Sequence, residues 1–168
     1  MFNTFGRILD RALGIETVHA HCDIPCGIYD PHGAQIAALT VLRLNQLAAN
    51  LAMPAPGDKS AMDAYGNSIA RYIATKEAHA ELVKHEVRII WGDYIRPEHV
   101  EKYPDLHSSV FGIMKLGSRN KQNMDLKAAE ELVAAVQKFA ELFWATKGVQ
   151  TRRGPSNQTV GGEIVYPA

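Results

Sequence analysis

From residue 31 to residue 147 apolar side chains return every three or four positions, and no segment alternates convincingly with the period of two that a half-buried strand needs. Such a chain buries stripes of helix against helix. Pro31 suits a first helical turn. Ile36, Leu39, Leu44, Leu47 and Leu51 carry a first helix to about Leu51, and Pro54, Pro56 and Gly57 close it. Ser60 and Asp63 have capping-box spacing and open a second helix of about 30 residues. Its buried face is Met62, Tyr65, Ile69, Tyr72 and Ile73, extended by Leu82, Val83, Val87 and Ile90 to near Trp91. Residues 92–104 read as an irregular connection. Pro104 opens a third helix through Leu106, Val110, Ile113 and Met114. Asp125 or Asn123 caps a fourth, which carries Leu132, Val136, Phe139 and Phe143. The predicted fold is all-α, an up-down four-helix bundle.

Composition narrows the function classes. The chain has 168 residues, enough for one domain with a core, and a chain of this size buries roughly 70% of its unfolded surface. Lys and Arg total 18 and so do Asp and Glu, so the net charge of zero gives no support for a nucleic-acid partner or a polybasic membrane surface. No apolar run reaches the roughly 18 residues that span a bilayer. The two cysteines sit too close together to be the disulfide framework of a secreted fold.

The two ends differ from the middle. In residues 1–20 Phe2, Phe5, Leu9 and Leu13 recur at helical spacing, but Arg7, Asp10 and Arg11 interrupt the apolar run that an export signal requires. A short amphipathic helix and a cytoplasmic location are the expectation. Residues 148–168, rich in Gly, Pro and polar groups, read as a flexible or loosely docked tail.

The chemistry concentrates in His21-Cys22-Asp23-Ile24-Pro25-Cys26. Two thiolates favour a soft or borderline transition metal. A structural zinc site would need a second ligand pair, which is missing, and the other histidines (19, 32, 79, 85, 99 and 107) are scattered. The Glu-x-x-His pairs of a di-iron bundle are absent as well. A site forms if the chain is cut before His21. The new α-amine of His21, the backbone nitrogen of Cys22 and its sulfur would close fused chelate rings. Cys26 would complete the plane, and the His21 imidazole would reach an axial position. Two nitrogens and two sulfurs in a plane suit nickel(II) or copper(II), and ligand identity alone does not choose between them. On these residues alone, free thiols or a reversible disulfide remain alternatives. So does a helical protein that holds nickel or copper without turnover.

HCDIPCGIYDP at residues 21–31 closely resembles the nickel-hook motif H-C-D-x-P-C-G-x-Y-D-P of nickel-containing superoxide dismutases. Further resemblance lies in Lys76-Glu77 to His85, in Trp91-Gly-Asp-Tyr94, in Glu101 to His107, and in Phe143-Trp144-x-Thr146-Lys147, so it spans about 21–147. The resemblance implies a precursor whose residues 1–20 are a propeptide, removed by a dedicated peptidase. It implies His21, Cys22 and Cys26 as ligands of one nickel ion per subunit, and a homohexamer of four-helix subunits. It implies Tyr29 as the tyrosine guarding the substrate pocket and Tyr94 as its support, with Asp23 and Pro25 shaping the hook. The activity implied is dismutation of superoxide to O₂ and H₂O₂ by one-electron cycling of the nickel.

Two departures from the family pattern stand out. Some members support the axial imidazole with a Glu and an Arg, where this chain has Ala37 and His79; Gln35 or His79 is the expected replacement. The tail beyond residue 147 exceeds the family's usual end. With no net charge, steering of superoxide must be local, and Arg96, then Lys102, are the expected cations.

Overall fold

The computed structural model describes residues 27–168. At its start the Asp30 carboxylate accepts the His32 backbone N–H at 2.7 Å, and the chain enters α1 (His32–Ala49). The helix ends close to the expected Leu51. Helix α2 (Lys59–Ile89) is longer, at 31 residues. Its cap is Asp58, whose carboxylate accepts from the Ala61 N–H at 2.9 Å, so the helix begins ahead of the expected Ser60 box. The reason lies in the preceding turn. Gly57 adopts a left-handed φ of +93° and delivers Asp58, as good a cap as Ser, directly to the first turn.

A π-helical turn (Ile90–Tyr94) follows, closed by a bond from the Ile95 N–H to the Ile90 carbonyl at 3.1 Å. The connection expected to be irregular holds this turn and a short helix, α3 (Pro97–Lys102), with proline at its start. Helix α4 (Leu106–Gln122) and α5 (Leu126–Thr146) complete the bundle. Of the two expected caps, Asp125 and Asn123, it is Asp125 that caps α5, accepting from the Ala128 N–H at 3.0 Å.

The long helices pack in a ring: α1 lies against α2 and α5, and α4 against the same two. The four-helix bundle expected from the periodicity is the fold. Its core runs through Val41, Val83, Val87, Ile113, Leu132, Val136 and Phe139, all at most 1% exposed. Helices α2 and α4 approach so closely at Gly117 that a Cβ there would lie 2.8 Å from the Lys84 side chain. Gly33 of α1 lies beside Glu86, while Ala48 and Ala49 share a groove with Ile69. About ten residues of α2 therefore reach past the end of α1, roughly 15 Å of helix. This is why Met62, expected in the buried face, is 43% exposed and Tyr65 only half-buried; Ile69, Tyr72 and Ile73, also expected there, are half-buried too.

The expected flexible tail is instead an ordered hairpin. Gly148, at φ +71°, ends α5: its N–H bonds to the Ala145 carbonyl and that of Val149 to the Trp144 carbonyl, both at 3.0 Å. This is a Schellman turn, and it needs the left-handed conformation that glycine adopts freely. The chain then runs out along β1 (Thr151–Pro155) and back along β2 (Glu163–Pro167), antiparallel, with Gly154 opposite Ile164. Ile164 and Val165 are 1% and 2% exposed, buried on α1 and α5. Arg153 pairs with Glu141 at 2.7 Å, and Gln137 donates to the Glu163 carbonyl at 2.7 Å. Two adjacent buried residues carry no alternation, and Gly154 and Pro155 are poor strand formers, so the sequence pattern concealed the strands. Among the described residues no helix is long and apolar enough to cross a membrane.

Candidate metal centre

Of the residues singled out in the sequence, His21, Cys22, Asp23, Pro25 and Cys26 lie outside the described residues, as does the segment 1–20. Tyr29 and Tyr94 lie within them, and the structure brings them together. Tyr29 is 8% exposed, and its ring centroid lies 5.5 Å from that of Tyr94 at an interplanar angle of 45°. The loop Gly27–Pro31 is therefore seated on the bundle through Tyr29 and the buried Pro31.

Tyr94 owes its position to the π-helical turn, which carries it off the end of α2 and onto α5. Its hydroxyl lies 2.9 Å from Thr146 Oγ1, and the Thr146 hydroxyl donates its single proton to the Phe143 carbonyl at 2.6 Å. The phenol is thus the donor to Thr146. The Tyr94 ring also stacks on His99 at 5.3 Å and tilts against Phe143 at 5.1 Å. His99 Nδ1 accepts the Arg96 backbone N–H at 3.2 Å, which puts the proton of its neutral form on Nε2.

A cation completes the cluster. Lys147 Nζ lies 5.3 Å from the Tyr94 ring centroid and 4.9 Å from that of Phe143. Sequence reasoning missed this charge, along with His99 and Thr146. The cations expected to steer substrate stand elsewhere. Lys102 Nζ lies over Tyr103 at 5.4 Å, and Arg96 borders a groove with Trp91, Ile95, Val100 and His107.

The expected replacements for imidazole support are corrected in part. Ala37 is 1% exposed in the core and offers only a methyl group. Gln35 is committed to the hairpin: its amide nitrogen donates to the Val165 carbonyl at 3.0 Å, and its oxygen accepts the Val165 N–H at 2.8 Å. His79 Nδ1 donates to the Thr75 carbonyl one turn back at 2.9 Å, which leaves Nε2 as its other polar atom.

Among the described residues no three His, Cys, Asp or Glu side chains gather as a metal set. Both cysteines of the chain belong to residues 21–26, next to His21. Two thiolates with nitrogen donors form a donor set that fits nickel(II).

Comparison with known proteins points the same way. The sequence profile of nickel-containing superoxide dismutase matches residues 16–147. A superoxide dismutase [Ni] of Streptomyces coelicolor is 36% identical over 131 residues, spanning 78% of this chain and 91% of that protein. The enzyme of the same name from Streptomyces seoulensis is 36% identical over 130 residues, spanning 77% of this chain and 90% of its own length. A solved native nickel superoxide dismutase superimposes with a TM-score of 0.64 at 35% identity, covering 76% of this chain and 99% of that one. The matched region holds HCDIPCGIYDP, the bundle and the Tyr29–Tyr94 pair. The chain therefore belongs to the nickel-containing superoxide dismutases, oxidoreductases that act on superoxide with a nickel ion.

Proposed function

We propose that this chain is a precursor whose mature form begins at His21 and holds one nickel ion per subunit through that new terminus. The His21 α-amine and imidazole, the Cys22 amide nitrogen and thiolate, and the Cys26 thiolate are the donors. Asp23 and Pro25 shape the loop between them. A peptidase removes residues 1–20, the mature protein assembles as a homohexamer, and it works in the cytoplasm. Nickel bound in this way supplies the one-electron oxidation and reduction by which two superoxide ions and two protons become O₂ and H₂O₂.

The chain's own residues then have separable tasks. Tyr29 stands three residues after Cys26 and positions substrate and a proton-carrying water beside the hook. Tyr94 holds Tyr29 from below, and its own hydroxyl is tied to Thr146. Lys147 supplies positive charge beside the Tyr94 ring in a chain of zero net charge.

The observation that carries this reading is the seating of the motif's described end: Tyr29 of HCDIPCGIYDP is buried against Tyr94, at the root of the segment that contains both thiols. The mass and N-terminal sequence of active protein, read with its nickel content, test it. A mature chain starting at His21 with one nickel per subunit is expected. Replacing both cysteines by serine should abolish nickel binding and dismutation together. Fully active protein that retains residues 1–20, or that survives loss of both thiols, would falsify the proposal.

A further inference from the structure

Residues 148–168 lie beyond the region that matches the family, and the solved relative is spanned almost entirely by 76% of this chain. The hairpin they form is therefore an addition to the matched bundle. It does not pack at random. It covers α1 along His32, Gln35 and Leu39, one stripe of that helix, whereas Ala34, Ala37, Ala38 and Val41 face the bundle core. The first turns of α1 are thus held from two sides.

The grip is specific. Gln35 is 3% exposed, and its amide mimics a neighbouring strand, meeting both the N–H and the carbonyl of Val165. Val165 is 2% exposed, so both bonds are shielded from water. Closer to the start of the helix, the His32 ring lies 6.4 Å from the Tyr166 ring, and the Arg152 guanidinium lies over the Tyr166 ring at 5.2 Å. Only Gly27–Pro31 separates this clamp from Cys26. A metal site built on a chain terminus has no second anchor, and its donors must be held to within a fraction of an ångström by whatever fixes their root.

We infer that the C-terminal hairpin, through the Gln35–Val165 bond pair, is a positioning element for the nickel hook. It fixes the turn of α1 from which the hook extends. The inference rests on the hook reading above, and Gln35 acts through the backbone without touching the metal.

Three variants test it: Gln35→Met, which keeps length and loses both bonds; Gln35→Glu, which keeps an acceptor for the Val165 N–H; and a chain ending after Gly148. Each is compared with the wild type, processed at His21, in nickel affinity, in the paramagnetic resonance spectrum of the oxidised nickel protein, and in amide exchange at Gln35 and Ile36 of the metal-free protein. For Gln35→Met and the shortened chain, exchange should quicken and nickel affinity fall, each by about tenfold or more. Their nickel spectra should broaden, and Gln35→Glu should fall between them and the wild type. Variants that keep helical circular dichroism together with wild-type affinity, spectrum and exchange overturn the inference alone. A processed wild type that binds no nickel overturns the hook reading and this inference with it.

Discussion

Tyr29 and Tyr94 pack ring against ring at 5.5 Å, joining the loop that precedes α1 to the π-helical turn that follows α2. A loop that ends one residue before the first helix is thereby anchored to the far end of the second. The anchor is itself braced, since the Tyr94 hydroxyl donates to Thr146 and the ring is lined by His99, Phe143 and Lys147.

The bracing separates two substitutions of Tyr94. Tyr94→Phe loses one partly buried hydrogen bond and should cost about 1 kcal/mol of stability, with the ring contacts intact. Tyr94→Ala removes the platform under Tyr29 and should cost roughly 3–5 kcal/mol, with a larger loss of turnover. Tyr29→Phe should leave nickel content near wild type while kcat/KM falls by about a hundredfold or more, the scale of a lost proton-transfer group. Thermal melts and pulse-radiolysis rates read the three variants; equal turnover in Tyr29→Phe and the wild type would remove the hydroxyl from the reaction.

Lys147 and Arg96 give unequal expectations for steering. Lys147→Gln should slow the reaction at low ionic strength, with the difference shrinking as salt rises and the Debye length falls to about 8 Å near 0.15 M. Arg96→Gln should have the smaller effect, because the structure seats Lys147, not Arg96, against Tyr94. The salt dependence of kcat/KM measures both, and a flat profile for Lys147→Gln relative to the wild type would exclude it.

On α2 and α4, far from the hook in sequence, Glu81 is surrounded by cations. Partial burial opposes its charge, but hydrogen bonds from Lys121 and Arg88 and the nearby Lys84 outweigh it and hold the carboxyl at about 2. Protons therefore bind the unfolded chain first as pH falls. The stabilisation is whole above about pH 4.5 and disappears toward pH 2. Glu81→Gln should flatten the melting temperature across that window, modestly because Glu81 is 41% exposed. An unchanged acid profile would show that the cluster contributes nothing to stability.

Gly148 tests the hairpin's independence. In its left-handed conformation a Cβ costs about 1–2 kcal/mol. Gly148→Ala should lower the melting temperature accordingly and raise exchange at Val165 while the bundle core keeps its protection. A cost near zero would mean that the turn relaxes without strain.

What the sequence disclosed followed from local physics. The stripes Leu132–Val136–Phe139–Phe143 and Val83–Val87–Ile90 announced helices because one face of each meets the core, and Asp125 announced its cap because the acceptor lies three residues from its donor. The motif named its own chemistry, because both thiols and the amine fall within six residues. The hairpin stayed hidden because its partner is Gln35, about 130 residues away, and a side-chain amide that stands in for a strand leaves no periodic trace. The brace of Tyr94 was hidden for the same reason: Thr146 and Lys147 meet it only after the bundle closes.

The placement of the hairpin also decides where this protein tolerates additions. Its last strand brings Tyr166 alongside His32, and Ala168 is held to the Gln150 carbonyl at 2.8 Å, so a tag or reporter fused after Ala168 emerges beside the start of α1. The exposed residues 52–53, at the other end of α1 and roughly 27 Å along its axis, are where an affinity peptide or fluorophore can be inserted without crowding that end of the molecule.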